Sequence, residues 1–170
     1  MTPAETPAVT PGNTLRIENV RFAVVDTETT GLSTDEDRVL QIGVVIMRGD
    51  GTVEHEWVTY LRRLTWGFGH VGAFHVHGIT RRQLRRGMQP ALALETMNEL
   101  IKDCVFVAHN AKFDVGFLRS DSTRLSVPLQ LTGPLCTLLL SRKLDPQRTM
   151  SHKLKDVAAR TARSIRAKYN

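Results

Sequence analysis

Cysteine is scarce in this sequence, and long apolar runs are absent. The two cysteines among the 170 residues, Cys104 and Cys136, lie in apolar surroundings and form no Cys-x-x-Cys or Cys/His spacing. That pattern argues against a zinc site and against a disulfide framework, so we expect reduced, buried thiols. No stretch approaches the roughly 18 apolar residues that a membrane helix needs, so the sequence predicts a soluble, cytoplasmic protein without a membrane partner.

The N-terminus also lacks the features of a targeting segment. Residues 1–14 hold three prolines and four threonines, with neither an apolar run nor a basic start, which excludes a signal peptide. We predict a flexible leader over 1–14. The remainder, 15–170, has the composition of a globular protein, with 41% hydrophobic and 24% charged residues in the chain, and its length favours one domain.

The positive charge of the chain is concentrated near its C-terminus. The formal net charge is +6, yet residues 1–141 hold 14 Lys and Arg against 15 Asp and Glu, whereas residues 142–170 hold 9 against 2. Such a surface suits a polyanion such as nucleic acid, although a solvated helix face explains it equally well. We call these nine residues the C-terminal basic strip: Arg142, Lys143, Arg148, Lys153, Lys155, Arg160, Arg163, Arg166 and Lys168.

The first half of the chain has the pattern of three strands. Residues 22–26 and 39–47 are apolar and β-branched, and residues 53–61 alternate polar and apolar side chains. The turn Gly49-Asp50-Gly51 predicts that the second and third strands pair antiparallel. Residues 65–72, rich in glycine and aromatics, are predicted to form a loop.

The second half alternates helices and strands. Residues 90–102 have helical spacing with Pro90 in the first turn, and 105–108 read as a buried strand. Asn110 is a plausible N-cap for the helix that follows. Two further helices are predicted over 135–144 and 151–162, the second with a serine cap. The order predicts an α/β fold, a mixed sheet flanked by helices.

Two carboxylates follow the first predicted strand. Asp26 and Glu28 are two apart, so in an extended strand their side chains project to the same side and could share a metal ion. Gly31 then permits a sharp turn close to a ligand. Alone, Asp-x-Glu also fits ordinary surface charge. Its place directly after a buried strand favours a cation site, because carboxylates are poorly solvated there.

A third carboxylate lies at the next strand-to-helix junction. Asp114 follows Asn110 by about one helical turn, so it could join Asp26 and Glu28. Carboxylate oxygens suit Mg²⁺ or Mn²⁺, and two such ions can support phosphodiester cleavage. The alternative for Asp114 is a charge that stabilises the helix N-terminus.

Two segments of the chain carry a resemblance to a known family. They are Phe22-Ala-Val-Val-Asp26-Thr27-Glu28-Thr29-Thr30-Gly31-Leu32 and His109-Asn110-Ala111-Lys112-Phe113-Asp114. In this order and spacing they resemble the first two motifs of the DEDD family of 3′–5′ exonucleases, in the DEDDh branch with the proofreading epsilon subunits of bacterial DNA polymerase III. The resemblance covers residues 20–160 and implies a ribonuclease H-like fold.

Two intermediate segments add to the resemblance. Arg38-Val-Leu-Gln-Ile-Gly43 resembles the second strand of the family, and His77-Gly78-Ile79-Thr80 resembles its substrate-side loop. Gln41 stands where many relatives have Glu.

The resemblance implies roles for the three carboxylates. Asp26 would bridge two Mg²⁺ or Mn²⁺ ions, Glu28 would bind the ion that carries the attacking water, and Asp114 would bind the other. The implied reaction releases nucleoside monophosphates from the 3′ end of single-stranded DNA or RNA, in replication or repair. A DNA polymerase is the implied protein partner.

The resemblance also implies a pocket for the terminal nucleotide. Thr29 and Leu32 would contact that nucleotide, while His77, Asn110 and Phe113 would line its pocket. Simple packing is the alternative for His77 and Phe113. An aromatic ring beside a flexible 3′ end makes physical sense, because base stacking tolerates any sequence.

A third motif of the family, with a fourth carboxylate and a histidine as general base, is not recognised in this chain. His152 and Asp156 lie one residue too close together to match it, so we do not expect them to be catalytic. The sequence therefore predicts a fold that lacks its last helix, with impaired activity. One alternative is a non-catalytic domain of the same fold that binds nucleic acid or docks on a polymerase. Another α/β phosphate-binding class is disfavoured by the absence of a P-loop or dinucleotide fingerprint.

Overall fold

The computed structural model describes residues 16–63, 74–131 and 133–169, with side chains for all of these except 74, 75 and 163–169. The predicted leader, 1–14, and the predicted loop, 65–72, lie outside the described residues.

Five strands form one mixed sheet, as predicted. They are β1 (Arg21–Thr29), β2 (Val39–Arg48), β3 (Val53–Tyr60), β4 (Val105–Ala108) and β5 (Leu135–Cys136). The strand order is β3-β2-β1-β4-β5. β1 pairs antiparallel with β2, and β2 pairs antiparallel with β3 through the predicted turn. β1 and β4 pair parallel, as do β4 and β5, so both β1 and β4 end at the same edge of the sheet.

Six helices accompany the sheet in the described part of the chain. They are α1 (Phe74–His77), α2 (Arg81–Arg85), α3 (Pro90–Ile101), α4 (Ala111–Leu125), α5 (Thr137–Leu144) and α6 (Leu154–Tyr169), with a 3-10 turn at Ile17–Asn19. The predicted helices over 90–102 and after Asn110 are confirmed.

Two helix boundaries differ from the predictions. The helix predicted from residue 135 begins at Thr137, because Leu135 and Cys136 pair with β4 as a short strand. The last helix begins at Leu154 instead of Ser151 and extends to Tyr169. The Ser151 hydroxyl still accepts the Lys153 N–H at 3.4 Å, just before that helix.

The core lies between one face of the sheet and helices α3 and α4. Along β1, Ala23 and Val25 are fully buried against residues such as Met97 and Phe117, whereas every second residue points to the other face. This alternation directs Asp26 and Glu28 together onto the less covered face. Their common direction, predicted from the spacing, is confirmed.

Both cysteines are free, as expected, but each is only half-buried. Cys104 directly precedes β4 and Cys136 ends β5, and both pack against the margin of the core. No helix in the described residues is long and apolar enough to cross a membrane.

Candidate active site

Thr27 and Asp114 join the two strand ends that the sequence predicts for the site. One Asp114 oxygen, Oδ1, accepts hydrogen bonds from the Thr27 backbone N–H at 3.1 Å and from Thr27 Oγ1 at 2.8 Å. Both residues are buried. Asp114 therefore lies against β1 at Thr27, close enough to Asp26 for the charge of Asp26 to raise its pKa.

The charge of Asp26 raises the pKa of both other carboxylates. Burial raises the pKa of Asp114 to about 6, the hydrogen bonds from Thr27 oppose this shift, and the Asp26 charge adds to it. Burial also raises the pKa of Glu28, and the Asp26 charge again adds to the shift. The Asp26 side chain reaches solvent, but the surrounding protein removes part of its hydration, and this desolvation raises its pKa as well. The predicted trio thus forms one electrostatic cluster, which we call the carboxylate cluster.

The chemistry of the carboxylate cluster fits a hard divalent cation. All three groups offer carboxylate oxygens, which are the ligands that Mg²⁺ and Mn²⁺ prefer. The raised pKa values indicate a deficit of positive charge at the site, because burial and like charge both penalise the ionised form. Among residues 16–63, 74–131 and 133–169, however, no three His, Cys, Asp or Glu side chains are arranged as a ready metal-binding group. The individual ligand roles remain predictions.

The turn after β1 is held together by Asp37. Its Oδ1 accepts a hydrogen bond from Thr30 Oγ1 at 2.6 Å, and its Oδ2 accepts the Ser33 N–H at 3.0 Å. These bonds lower the pKa of Asp37. Gly31 lets the Asp37 carboxylate approach this closely, because a Cβ at position 31 would lie 2.4 Å from Asp37 Oδ2 and would displace that side chain. The turn leaves Leu32 85% exposed, on the surface beside the cluster.

A clamp from α4 holds the same turn, and sequence reasoning missed it. The Arg124 guanidinium donates to the carbonyl oxygens of Thr34 and Asp35, and to Asp121 Oδ1 at 2.7 Å. The other Asp121 oxygen accepts the Val39 N–H at 3.2 Å. The available signal was the acid-base pair three residues apart on one helix. Because the clamp spans from α4 to the start of β2, it fixes the turn that presents Leu32.

Thr29 and His77 both make hydrogen bonds within the protein. Thr29 is buried, and its Oγ1 donates to the Gly31 carbonyl at 2.6 Å. His77 is half-buried at the end of α1, where its Nδ1 accepts the Ile79 N–H at 3.0 Å. The His77 ring nevertheless lies close enough to Glu28 to lower the pKa of that carboxylate. The structure therefore places His77 beside the cluster and Thr29 underneath the turn.

Asn110 and Phe113 lie at the start of α4. Asn110 occupies the N-cap position with φ of 69°, in the left-handed region, and its side chain makes no capping hydrogen bond. The predicted N-cap position of Asn110 is confirmed, but the cap is made by its backbone: the Asn110 carbonyl accepts the Phe113 N–H at 2.8 Å, and the side chain is exposed. Phe113 is half-buried with its ring centroid 4.9 Å from that of Phe117, so packing accounts for part of its environment.

His109 is a neighbour of the carboxylate cluster that sequence reasoning did not select as a site residue. Its ring opposes the rise in the pKa of Asp26, and its Nδ1 lies 3.0 Å from Thr137 Oγ1. A cleft of about 630 Å³, lined by Asp26, His109 and Leu154 among others, opens on the less covered face of the sheet. The signal was the position of His109 directly after β4.

His152 and Asp156 are engaged in local contacts at the junction of α5 and α6. His152 Nδ1 lies 2.9 Å from Ser141 Oγ. Its Nε2 lies 3.5 Å from Asp145 Oδ2, too far for a good hydrogen bond but close enough for an ion pair when the ring is protonated. Asp156 accepts a hydrogen bond from Ser151 Oγ at 2.6 Å. These contacts fit the expectation that neither residue is catalytic.

The C-terminal basic strip is only partly available at the surface. Arg160 donates to the Ser151 carbonyl at 2.6 Å, so this residue supports the α5–α6 junction. Lys143, Arg148, Lys153 and Lys155 are exposed. The role of the strip remains a prediction.

Comparison with known families gives one match over most of the chain. Residues 23–166 match the RNase_T family model, described as an exonuclease. The chain is 32% identical over 149 residues to a DNA polymerase III PolC-type of Latilactobacillus sakei subsp. sakei, covering 85% of this chain and 10% of that relative. It is 31% identical over 135 residues to a DNA polymerase III PolC-type of Streptococcus pyogenes, covering 77% of this chain and 9% of that relative. The chain therefore spans about a tenth of the length of these relatives.

Solved structures with the same fold include Escherichia coli exonuclease I. In the complex of that protein with a dT13 oligonucleotide, the likeness covers 81% of this chain and 35% of the other, with a TM-score of 0.67 and 19% identity. At this identity the likeness shows the fold alone, and that fold is the predicted ribonuclease H-like one.

Proposed function

We propose that this chain, which belongs to the RNase_T exonuclease family, hydrolyses single-stranded nucleic acid from its 3′ end with the help of divalent metal ions. The observation that carries the proposal is the carboxylate cluster, in which Asp114 is bound to the strand residue between Asp26 and Glu28. The carboxylate cluster lies near the end of β1, beside an exposed turn, where the 3′ end of a nucleic acid could bind.

In this proposal Asp26, Glu28 and Asp114 hold the metal ions. Divalent ions bound there supply neutralisation of phosphate charge and activation of water. Thr27 keeps the Asp114 carboxylate oriented towards β1, because both of its donors point to the same oxygen. His109 provides a polar neighbour to Asp26 on the open face.

The terminal nucleotide would lie against the turn after β1. Leu32 offers an exposed apolar side chain there, and the Asp37 and Arg124 contacts hold its backbone in place. His77, Asn110 and Phe113, each at least partly exposed, would line the pocket for its sugar or base. The dT13 complex of exonuclease I supports single-stranded DNA as the substrate class. The PolC-type relatives support a setting in DNA replication.

The test is a nuclease assay on the full chain. Single-stranded DNA labelled at its 5′ end should shorten progressively in Mn²⁺ and remain intact in EDTA. Asp26→Asn should abolish this shortening, because the substitution keeps the shape of the side chain and removes its charge. A matched control is Asp103→Asn, an exposed residue of the turn before β4, at the edge of the sheet where β1 and β4 begin, which should cut like the parent chain.

Metal binding provides a readout that does not depend on cleavage. Mn²⁺ should raise the melting temperature of the parent chain more than that of Asp26→Asn. If Mn²⁺ stabilises both proteins equally and neither cuts, the proposal is wrong. Cleavage from the 5′ end would contradict the proposed polarity.

A second candidate is a non-catalytic domain that binds nucleic acid or a polymerase. The observation that favours it is the engagement of His152 and Asp156 in local contacts, which leaves the described residues without the general base that the family resemblance implies. Binding of single-stranded DNA without cleavage in Mn²⁺ would favour this candidate.

A further inference from the structure

The short helix α2 carries a dense group of arginines. Residues 57–94 contain six arginines and no Asp, Glu or Lys, although the balance of charge over 1–141 is nearly even. Two of the six are Arg62 and Arg63, at the end of β3. The other four, which we call the arginine face, belong to α2 and its C-cap: Arg81, Arg82, Arg85 and Arg86.

Buried contacts orient α2 so that the arginine face points outwards. Leu84 is buried together with Ile79, and Thr80 and Gln83 form a reciprocal capping box at the N-terminus of the helix. Gln83 also donates to the Tyr60 hydroxyl at 2.8 Å. At roughly 100° per residue, the four arginines share an arc of roughly 140° that excludes Leu84. All four are exposed.

A close backbone contact ties the end of α2 to the sheet. The Met88 N–H donates to the Tyr60 carbonyl at 2.8 Å, and the Arg62 N–H donates to the Met88 carbonyl at 2.7 Å. Gly87 permits this approach, because a Cβ there would lie 2.4 Å from the Tyr60 carbonyl oxygen. The arginine face is therefore presented by a fixed element.

Within the described residues, the positive charge of this region is not neutralised. No residue of the arginine face takes part in an ion pair there. Behind α2, Arg63 Nη1 is buried without a hydrogen-bond acceptor in the same part of the chain, and the Arg63 N–H lies 3.3 Å from the Leu84 carbonyl. Burial and the Arg38 charge lower the pKa of Arg63, whereas the charges of Asp121 and Asp37 oppose this shift. The unpaired positive charge therefore lies on the arginine face, where an anion would neutralise it.

The arginine face lies a short distance from the carboxylate cluster. Arg81 follows His77 by four residues, a separation that can span at most ~14 Å along the chain. His77 in turn lies beside Glu28. A strand that ends at the cluster can therefore pass over α2.

We propose that the arginine face binds the phosphodiester backbone of single-stranded nucleic acid and guides it to the carboxylate cluster. This inference rests on the proposed nuclease function, since it assigns the path of the same substrate. Guanidinium groups pair well with phosphate oxygens, and contacts with phosphate carry no sequence information, which suits a sequence-independent enzyme. An acidic protein would match the charge of the arginine face, but its own carboxylates would be repelled by the nearby carboxylate cluster.

The experiment measures binding of a fluorescent oligothymidylate to the full chain in EDTA, across a range of sodium chloride concentrations. Two double variants remove half of the face each: R81Q/R82Q and R85Q/R86Q. Each should lose affinity on the order of tenfold at low salt. The slope of log affinity against log salt should fall in magnitude by ~1.4, because each of the two lost phosphate contacts contributes ~0.7. An oligoadenylate should show the same losses, because the contacts are to the backbone.

Two further variants control for net charge and for folding. R16Q/K102Q removes two exposed charges near the opposite edge of the sheet and should bind like the parent chain. R81K/R82K keeps the charge and should recover most of the affinity, because lysine still contacts phosphate as a point charge. Melting temperatures of all variants should stay near that of the parent, since the four side chains are exposed.

The outcomes separate this inference from the proposed function. Equal losses in R16Q/K102Q and the α2 variants, or no loss in the α2 variants, would overturn the inference even if the chain cuts DNA. A loss of affinity in the α2 variants alone supports the inference. If the parent chain binds the oligonucleotide but does not cut it in Mn²⁺, this support stands although the proposed nuclease function fails. A parent chain that does not bind the oligonucleotide in EDTA overturns the inference, while the Mn²⁺ cleavage assay decides the proposed function separately.

Discussion

Thr27 donates two hydrogen bonds to a single oxygen of Asp114, one from its backbone and one from its hydroxyl, and so fastens β1 to α4 across 87 residues of sequence. We predict that Thr27→Val, which removes the hydroxyl donor at nearly constant volume, lowers the free energy of unfolding by about 1–3 kcal/mol. The cause is a buried carboxylate that keeps only its backbone donor. Urea denaturation measures the effect.

Thr59→Val is the matched control for that variant. Thr59 lies on β3, half-exposed, and its hydroxyl makes only a 3.3 Å contact with the neighbouring Tyr60 carbonyl. Its loss should change the free energy of unfolding by less than about 0.5 kcal/mol. Equal destabilisation by the two substitutions would mean that the contact with Asp114 adds nothing to stability.

The raised pKa of Asp114 predicts a specific dependence of stability on pH. The pKa is about 6 in the folded protein and near 3.8 in the unfolded chain, so the native state binds more protons between these values. The free energy of unfolding therefore falls as pH rises through that window, by up to about 3 kcal/mol. Asp114→Asn keeps an oxygen acceptor for Thr27 and has no charge. In EDTA this variant should be more stable than the parent chain at neutral pH, and its free energy of unfolding should change less with pH.

Asp50→Asn serves as the opposite case. Hydrogen bonds from Thr52 lower the pKa of Asp50, so its charged form is the favoured one and its neutralisation should bring no gain at neutral pH. Thermal melts from acid to neutral pH measure both variants. A parent chain whose stability rises between pH 4 and pH 6, with Asp114→Asn following the same curve, would refute the assignment.

The sequence predicted most of the fold because its strands are defined by local patterns. The apolar, β-branched run at residues 22–26 and the Gly49-Asp50-Gly51 turn require no long-range information, and Pro90 marks the start of α3. The family resemblance and the ribonuclease H-like fold are both confirmed. Short elements were missed: α2 depends on a capping box of two polar residues, and β5 exists only because Leu135 and Cys136 find β4 as a partner.

The carboxylate cluster was predictable, and its supports were not. Asp26 and Glu28 lie near the end of β1, and Asp114 follows the end of β4. The parallel pairing of β1 and β4 brings both strand ends to one edge. In contrast, the contact of Arg124 with the turn at Thr34 spans 90 residues, and nothing in the local pattern points to it. The arginine face was missed for a different reason, since averaging charge over 1–141 balanced it against acidic residues elsewhere in the sequence.

Asp37 should matter for substrate affinity more than for the chemical step. We predict that Asp37→Ala raises KM several-fold with a smaller effect on kcat, because the Thr30 and Ser33 donors lose their acceptor and the turn that presents Leu32 relaxes. Asp35→Ala, in the same turn and with the same charge change, should leave both parameters close to those of the parent. Steady-state kinetics on single-stranded DNA in Mn²⁺ measures the split. A larger fall in kcat than rise in KM would place Asp37 in the chemistry instead.

His152 provides the sharpest test of whether the described residues contain the missing general base. Because its ring contacts Ser141 and Asp145 at the α5–α6 junction, His152→Ala should lower the free energy of unfolding by about 1–2 kcal/mol and leave the rate per folded molecule unchanged. His55→Ala, an exposed histidine on β3, should change neither quantity. Urea denaturation and Mn²⁺-dependent cleavage, measured on the same preparations, separate the two effects. Loss of cleavage by His152→Ala without loss of stability would identify His152 as the general base. The ring would then have to leave its contacts with Ser141 and Asp145 and turn towards the carboxylate cluster during the reaction.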